Sequence, residues 1–191
     1  METLSDDLTN GKREGDVPYG TLTSIDESPL KFGLLYAGTD DGNVHISKDG
    51  GYTWTLISKT LPQGLWVSRV IASAHKEGRV YVALNGYRFD HFLPYLFVSE
   101  DYGNTWKALG KDLPFEPVNV IREDPKFDSI LYVGTDGGMY VSLDAGNSFM
   151  MWNNHTLPAS IPVHDIAIQA RDNEIVLGTH GRSLYVAKLD S

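Results

Sequence analysis

A chain of 191 residues, 41% hydrophobic and 21% charged, is long enough to bury a sizeable core and too apolar to remain disordered. Its formal net charge of −9 argues against holding nucleic acid by its phosphates and against docking on anionic lipid. With no cysteine, disulfides, thiolate chemistry and Cys-based zinc sites are excluded.

Taken in chain order, the sequence is a succession of short β-rich runs punctuated by Gly, Pro, Asp and Asn, with no long segment of helical period. Residues 1–9 read as an orphan outer strand, Met1–Ser5, running into Ser5-Asp-Asp-Leu8-Thr9; the N-terminus lacks the basic and apolar regions of a signal peptide. Residues 10–17 are polar and Gly-bearing, as in a loop. Residues 18–58 then hold four runs, Thr21–Ile25, Leu34–Gly38, Val44–Ser47 and Thr53–Ile57. Residues 66–109 repeat them as Ser68–Ala74, Arg79–Leu84, Tyr95–Ser99 and Thr105–Leu109, and residues 117–153 as Val118–Arg122, Ile130–Gly134, Met139–Ser142 and Ser148–Trp152. Residues 162–191 hold only three runs, Val163–Gln169, Glu174–Gly178 and Leu184–Ala187. Four strands per unit at this spacing predict an all-β fold, a β-propeller of about four blades within one domain. The last blade lacks its fourth strand, which leaves three possibilities. The termini pair and close a small ring, the chain is part of a larger ring, or two copies form a ring by symmetry.

One phrase marks the blades. Ser47-Lys-Asp49-Gly-Gly51-Tyr-Thr53-Trp54 returns as Ser99-Glu-Asp101-Tyr-Gly103-Asn-Thr105-Trp106 and, loosened, as Ser142-Leu-Asp144-Ala-Gly146-Asn-Ser148-Phe149. The spacing suits the hairpin between third and fourth strands: Asp accepts backbone N–H groups, Gly supplies positive φ, and the aromatic packs between blades. A turn has reason to recur in every unit, whereas a catalytic carboxylate does not, so these acids are read as structural rather than as a calcium or sugar site.

The phrase resembles the Asp-box (BNR) repeat of sialidases, sortilin-type luminal domains, two-propeller xyloglucanases and photosystem II assembly propellers. The resemblance is nearest to large bacterial proteins described as BNR-repeat glycosyl hydrolases or sortilin-like. It rests also on Gly178-Thr179-His180-Gly181-Arg182-Ser183 and on Tyr140-Val141-Ser142-Leu143-Asp144-Ala145-Gly146. It implies a propeller that is part of a longer, extracytoplasmic or secreted protein.

In a propeller, the loops between second and third strands share a face with the starts of the first strands. One rim should therefore collect Gly38–Gly42, Asn85–His91, Gly134–Gly138 and Gly178–Arg182 with Pro18–Thr21, Trp66–Arg69, Pro117–Val120 and Pro162–Asp165. The stretch Asn85–Pro94 exceeds its counterparts and is aromatic, which makes it a candidate binding loop. Trp66 and Tyr87 could stack on a sugar ring or side chain; Arg69, Arg88, Asp90, His164, His180 and Arg182 could bond to it. The bland alternative is that the aromatics plug the loop or meet a neighbouring domain. For hydrolysis, two carboxylates must flank a scissile bond. Asp40, Asp41, Asp90, Asp136 and Asp165 are the candidates on the rim, and a turn role leads over catalysis for the acids of the first three blade loops, which share a turn-like context of Gly followed by Asp. Three arginines and a tyrosine in sialidase roles would be Arg69, Arg88, Arg182 and Tyr87, but the Arg-Ile-Pro phrase of that family is missing. His45, His91, His155, His164 and His180 are scattered without ligand spacing, so no metal and no cofactor is expected.

The leading expectation is a noncatalytic recognition or scaffold propeller that binds a protein, peptide or glycan at one rim. The alternatives are a glycoside hydrolase, or one lobe of one, and a subunit that assembles through its open edges.

Overall fold

The computed structural model describes residues 20–152 and 160–189, and their regular elements are β-strands except for one short 3-10 turn. Blade 1 contains β1 (Leu22–Glu27), β2 (Leu35–Thr39), β3 (Val44–Ser47) and β4 (Thr55–Leu56); blade 2 contains β5 (Trp66–Ala72), β6 (Val80–Gly86), β7 (His91–Ser99) and β8 (Lys107–Leu109). Blade 3 contains β9 (Val118–Glu123), β10 (Leu131–Thr135), β11 (Met139–Ser142) and β12 (Met150–Met151); blade 4 contains β13 (Val163–Gln169), β14 (Glu174–Thr179) and β15 (Leu184–Lys188). Each blade is an antiparallel meander in sequence order. The chain is all-β, a partial propeller of about four blades, as the repeats predict. The expected strand Met1–Ser5 and the loop over residues 10–17 lie outside the described residues, as do Pro18, Tyr19 and His155.

Two element boundaries differ from the sequence reading. The fourth strands start two residues late, at Thr55, Lys107 and Met150, because Thr53, Thr105 and Ser148 belong to the preceding turn. There Ser47 Oγ donates to Asp49 Oδ1 at 2.8 Å and accepts from Gly51 N at 2.8 Å, while Thr53 N and Oγ1 donate to the two Asp49 oxygens at 2.9 and 2.6 Å. Ser99, Asp101, Gly103 and Thr105 reproduce this at 2.7–2.8 Å, and Ser142, Asp144, Gly146 and Ser148 at 2.7–2.9 Å. Each turn is thus closed locally by one carboxylate and two hydroxyls. The second difference is Asn85–Pro94, which is mostly strand: Asn85 and Gly86 end β6, His91–Pro94 begin β7, and only Tyr87–Phe89 turns, with Asp90 after it at φ 57°.

Hydrogen bonds from Thr53 and Ser148 hold the Asp49 and Asp144 carboxyls down at about 2, and those from Thr105 lower Asp101 in the same way. A carboxylate whose folded pKa is depressed contributes stability above its unfolded value and loses it as pH falls through the folded one. The melting temperature followed by circular dichroism should therefore drop between about pH 4 and pH 2, with a shallower drop in D49N/D101N/D144N.

The core lies in the seams between blades. Tyr36, Val44 and Ile46 of blade 1 cluster with Val67, Val70, Val82 and Leu84 of blade 2. Tyr81, Ala83, Leu96 and Val98 cluster with Val118, Ile121, Leu131 and Val133, and Val120, Tyr132 and Met139 with Val163, Ile166, Ile175 and Leu177. Strand alternation makes this possible: one face of each blade packs forward and the other packs back. Every inner strand carries a register irregularity near its start, at Thr23, Ser68, Asn119 and His164. Such a bulge re-aims a side chain. Thr23 Oγ1 donates to Val67 O at 2.7 Å, Ser68 Oγ to Val118 O at 2.8 Å, and Asn119 Nδ2 to Val163 O at 3.3 Å, each across a seam.

Candidate functional site

An antiparallel meander sets the start of each first strand beside the end of the second, as in the pairs Trp66–Asn85, Val118–Thr135 and Val163–Thr179. At this end of blades 2, 3 and 4 opens a cavity of about 320 Å³. Blade 2 contributes Trp66, Asn85, Tyr87 and Arg88; blade 3 contributes Asn119 and Asp136; blade 4 contributes Pro162, His164 and His180.

The polar part of the wall is wired from blade to blade. Asn85 Oδ1 accepts from Tyr87 N at 2.9 Å, Asn85 Nδ2 donates to Asn119 Oδ1 at 2.8 Å, and Asn119 Nδ2 donates to Asp136 Oδ1 at 2.8 Å. Asn85 and Asn119 are buried, which favours a rigid arrangement because each unmade bond would leave a costly polar group in a dry seam. The aromatic part is more open. The Arg88 guanidinium lies 5.1 Å from the Trp66 ring centre, a cation–π contact, and Tyr87, 61% exposed, meets Phe92 edge-on at 6.1 Å. The His164 and His180 rings lie 5.4 Å apart. The Trp66 indole N–H is buried with no acceptor among the described residues. Flat rings, an amide-lined wall, one cation and one carboxylate can hold a polar, partly planar ligand.

Of the residues singled out in the sequence, Trp66, Tyr87, Arg88, Asp136, His164 and His180 are brought together here, and six others are not. Asp40 Oδ1 accepts from Gly20 N and Thr21 N at 2.6 and 2.8 Å, and Asp41 accepts from Thr39 Oγ1 and Asn43 Nδ2, so both serve the blade 1 turn. Asp90 caps the 3-10 turn outside the lining, and Arg182 is exposed in a turn between Gly181 and Ser183, both at positive φ. Arg69 and Asp165 sit past the bulges of β5 and β13 and do not line the cavity. They meet each other instead: Arg69 Nη2 donates to Asp165 Oδ1 at 2.7 Å, and Arg122 Nη2 lies 3.6 Å from the same oxygen. Burial and the neighbouring Arg69 charge push the Arg122 guanidinium down, and burial pushes the Asp26 carboxyl up. The inner strands therefore carry a compensated group of two acids and two arginines rather than a ligand clasp.

Asn85, Asn119 and Pro162 were within the expected rim segments but carried no signal that set them apart. For Asn119 the usable signal is its place one residue after Val118, matching Thr23 and Ser68 in the other blades. Among the described residues no group of three or more His, Asp or Glu side chains is placed to hold a metal ion.

No family model matches the chain. It is 28% identical over 131 residues to vacuolar protein sorting/targeting protein 10 of Laccaria bicolor, covering 62% of this chain and 8% of that protein. It is 32% identical over 96 residues to the oligoxyloglucan-reducing end-specific xyloglucanase of Emericella nidulans, covering 48% of this chain and 10% of that enzyme. The chain thus spans no more than a tenth of the curated relatives it matches. Among solved structures, the GH74 xyloglucanase of Xanthomonas campestris superposes with a TM-score of 0.68 at 16% identity, over 86% of this chain and 29% of that one. A structure of YCF48 bound to D1 peptide superposes with a TM-score of 0.64 at 14% identity, over 90% of this chain and 52% of that one. At such identities the likeness is one of fold, a β-propeller of the kind found in GH74 enzymes.

Proposed function

We propose that this propeller is a noncatalytic recognition module that holds a segment of a partner protein in the rim cavity. The observation that carries the reading is the convergence of side chains from three blades on one cavity, wired together by the Asn85–Asn119–Asp136 bonds. A peptide offers what such a wall can use: a backbone N–H for Asp136, and a flat or charged side chain for Tyr87, Arg88 and the His164–His180 pair. YCF48, a propeller of like fold, has been captured with a peptide bound, which supports the reading by analogy.

A second reading, a lobe of a glycoside hydrolase, draws on the two xyloglucanase similarities. It is the weaker one, because hydrolysis asks for two carboxylates facing the ligand and, among the described residues, the cavity's lining includes one, Asp136. Peptide and glycan arrays probed with the whole chain separate the two. Peptide retention without turnover is expected, with Tyr87→Ala weakening it about tenfold or more, since exposed aromatic anchors dominate such contacts. Release of reducing ends from xyloglucan, abolished by Asp136→Asn, would replace the first reading with the second.

A further inference from the structure

We propose that the outer edge of blade 2 is a docking site distinct from the rim cavity, where an extended apolar segment of a partner protein, ending in acidic residues, adds as a β-strand. The starting observation is a mismatch of strand lengths. The third strands of blades 1, 3 and 4 have 4, 4 and 5 residues, whereas β7 has 9. β8 matches only the later part of β7, in the pairs Leu96–Leu109, Phe97–Ala108 and Val98–Lys107. His91–Tyr95 therefore overhang, with β6 on one side and, among the described residues, no strand on the other. Just after β8, Gly110 turns the chain away at φ 66°, and Leu113 N donates to Gly110 O at 3.1 Å. A Cβ at Gly110 would lie 2.6 Å from Leu113 Cδ1, so the chain can leave the sheet this tightly only with glycine here.

Beside the overhang and the end of β8 lies a groove of about 630 Å³. Buried Leu96, Leu109 and Leu113 form its floor, and exposed Leu93 and Phe115 border it. Its walls come from blade 2 and from the connections on either side of that blade, and none of its lining residues lines the rim cavity.

The occupant follows from the edge and from the charge. An unpaired strand edge offers main-chain N–H and C=O groups, which a peptide can match and a hydrocarbon chain cannot. Pro94 lies in the overhang, and proline within a sheet is tolerated at such an edge. Lys107 and Lys111 line a second hollow of about 300 Å³, which shares Ala108, Leu109, Gly110 and Lys111 with the groove. Among the described residues neither lysine has an acid within ion-pair distance; Lys107 Nζ donates to the neutral Asn147 Oδ1 at 3.0 Å. The adjacent Asp112 carboxylate accepts from Phe149 N at 2.7 Å. In a chain of net charge −9, two uncompensated lysines beside an apolar groove fit the acidic end of a partner segment.

The test is fluorescence anisotropy with the whole chain and a labelled peptide of alternating valine and threonine that ends in two glutamates, with circular dichroism to verify that each variant folds. Saturable binding is expected. Leu93→Asp alters an exposed side chain and should weaken binding roughly tenfold or more. Lys111→Glu should weaken it about fivefold and shift preference to the same peptide ending in two lysines. An added strand bonds through alternate residues only, so N-methylation of one alternate set of peptide amides should abolish binding and methylation of the other set should be tolerated. No saturable binding, equal binding of the two methylated forms, or indifference to both substitutions would each overturn the proposal. Binding of laurate in place of the peptide would overturn it in favour of a lipid.

Discussion

Glu123→Ala should destabilise the fold by about 3–5 kcal/mol, the cost of stripping the centre from a buried polar network. Glu123 ends β9, and its carboxylate is only 3% exposed. Across the seam from blade 2 it accepts from Ser73 Oγ at 2.8 and 2.9 Å, from Ala74 N at 2.8 Å and from Tyr81 OH at 3.1 Å, with Arg79 Nη1 at 3.5 Å. Removing it leaves a hydroxyl, an amide and a phenol without their acceptor at one edge of the second seam, and leaves Arg79 with Glu100 alone, at 2.8 Å. Burial also pushes the Tyr81 phenol well up, so Tyr81 stays a neutral donor and offers no charge to compensate. Glu123→Gln keeps the volume and one acceptor oxygen and should cost less than half as much. Urea unfolding of the three proteins measures both effects. A loss below about 1 kcal/mol for Glu123→Ala would mean that the network is solvated and contributes little.

Leu96→Ala should cost about 2–5 kcal/mol, because Leu96 is 1% exposed in the second seam, where neighbours on both blades prevent collapse of the cavity it leaves. Leu184→Ala, at the same register position in blade 4, should stay within about 0.5 kcal/mol, because Leu184 is 67% exposed. Identical chemistry at equivalent positions thus reports directly on whether a following blade is present. Equal losses at the two sites would show that the outer face of blade 4 is already covered within a single molecule.

These two predictions also show how much could be read before any coordinates. That residue 96 lies in a strand follows from the run Tyr95–Ser99, and the strand order follows from the repeats, but its facing does not, because Tyr95, Leu96, Phe97 and Val98 are apolar alike. That Glu123 would be a hub did not follow. Its partners stand 42–50 residues away, and nothing near it marks it among the chain's other acids. The rim was legible as a set of segments, since the meander places first-strand starts beside second-strand ends. Its membership was not. Arg69 and Asp165 looked like rim residues and instead bond to each other across 96 residues of sequence. A single-residue bulge lies just before each, and composition does not reveal it.

From the sequence alone came the all-β class, the four units and the three acidic turns, because each is encoded by bonds and alternation spanning fewer than a dozen neighbouring residues. Tertiary structure alone decided which side chains share the cavity and which charges cancel beside the inner strands. Those outcomes depend on how one blade is rotated and packed against the next, and a rotation between blades involves residues too far apart in the chain for any local pattern to record.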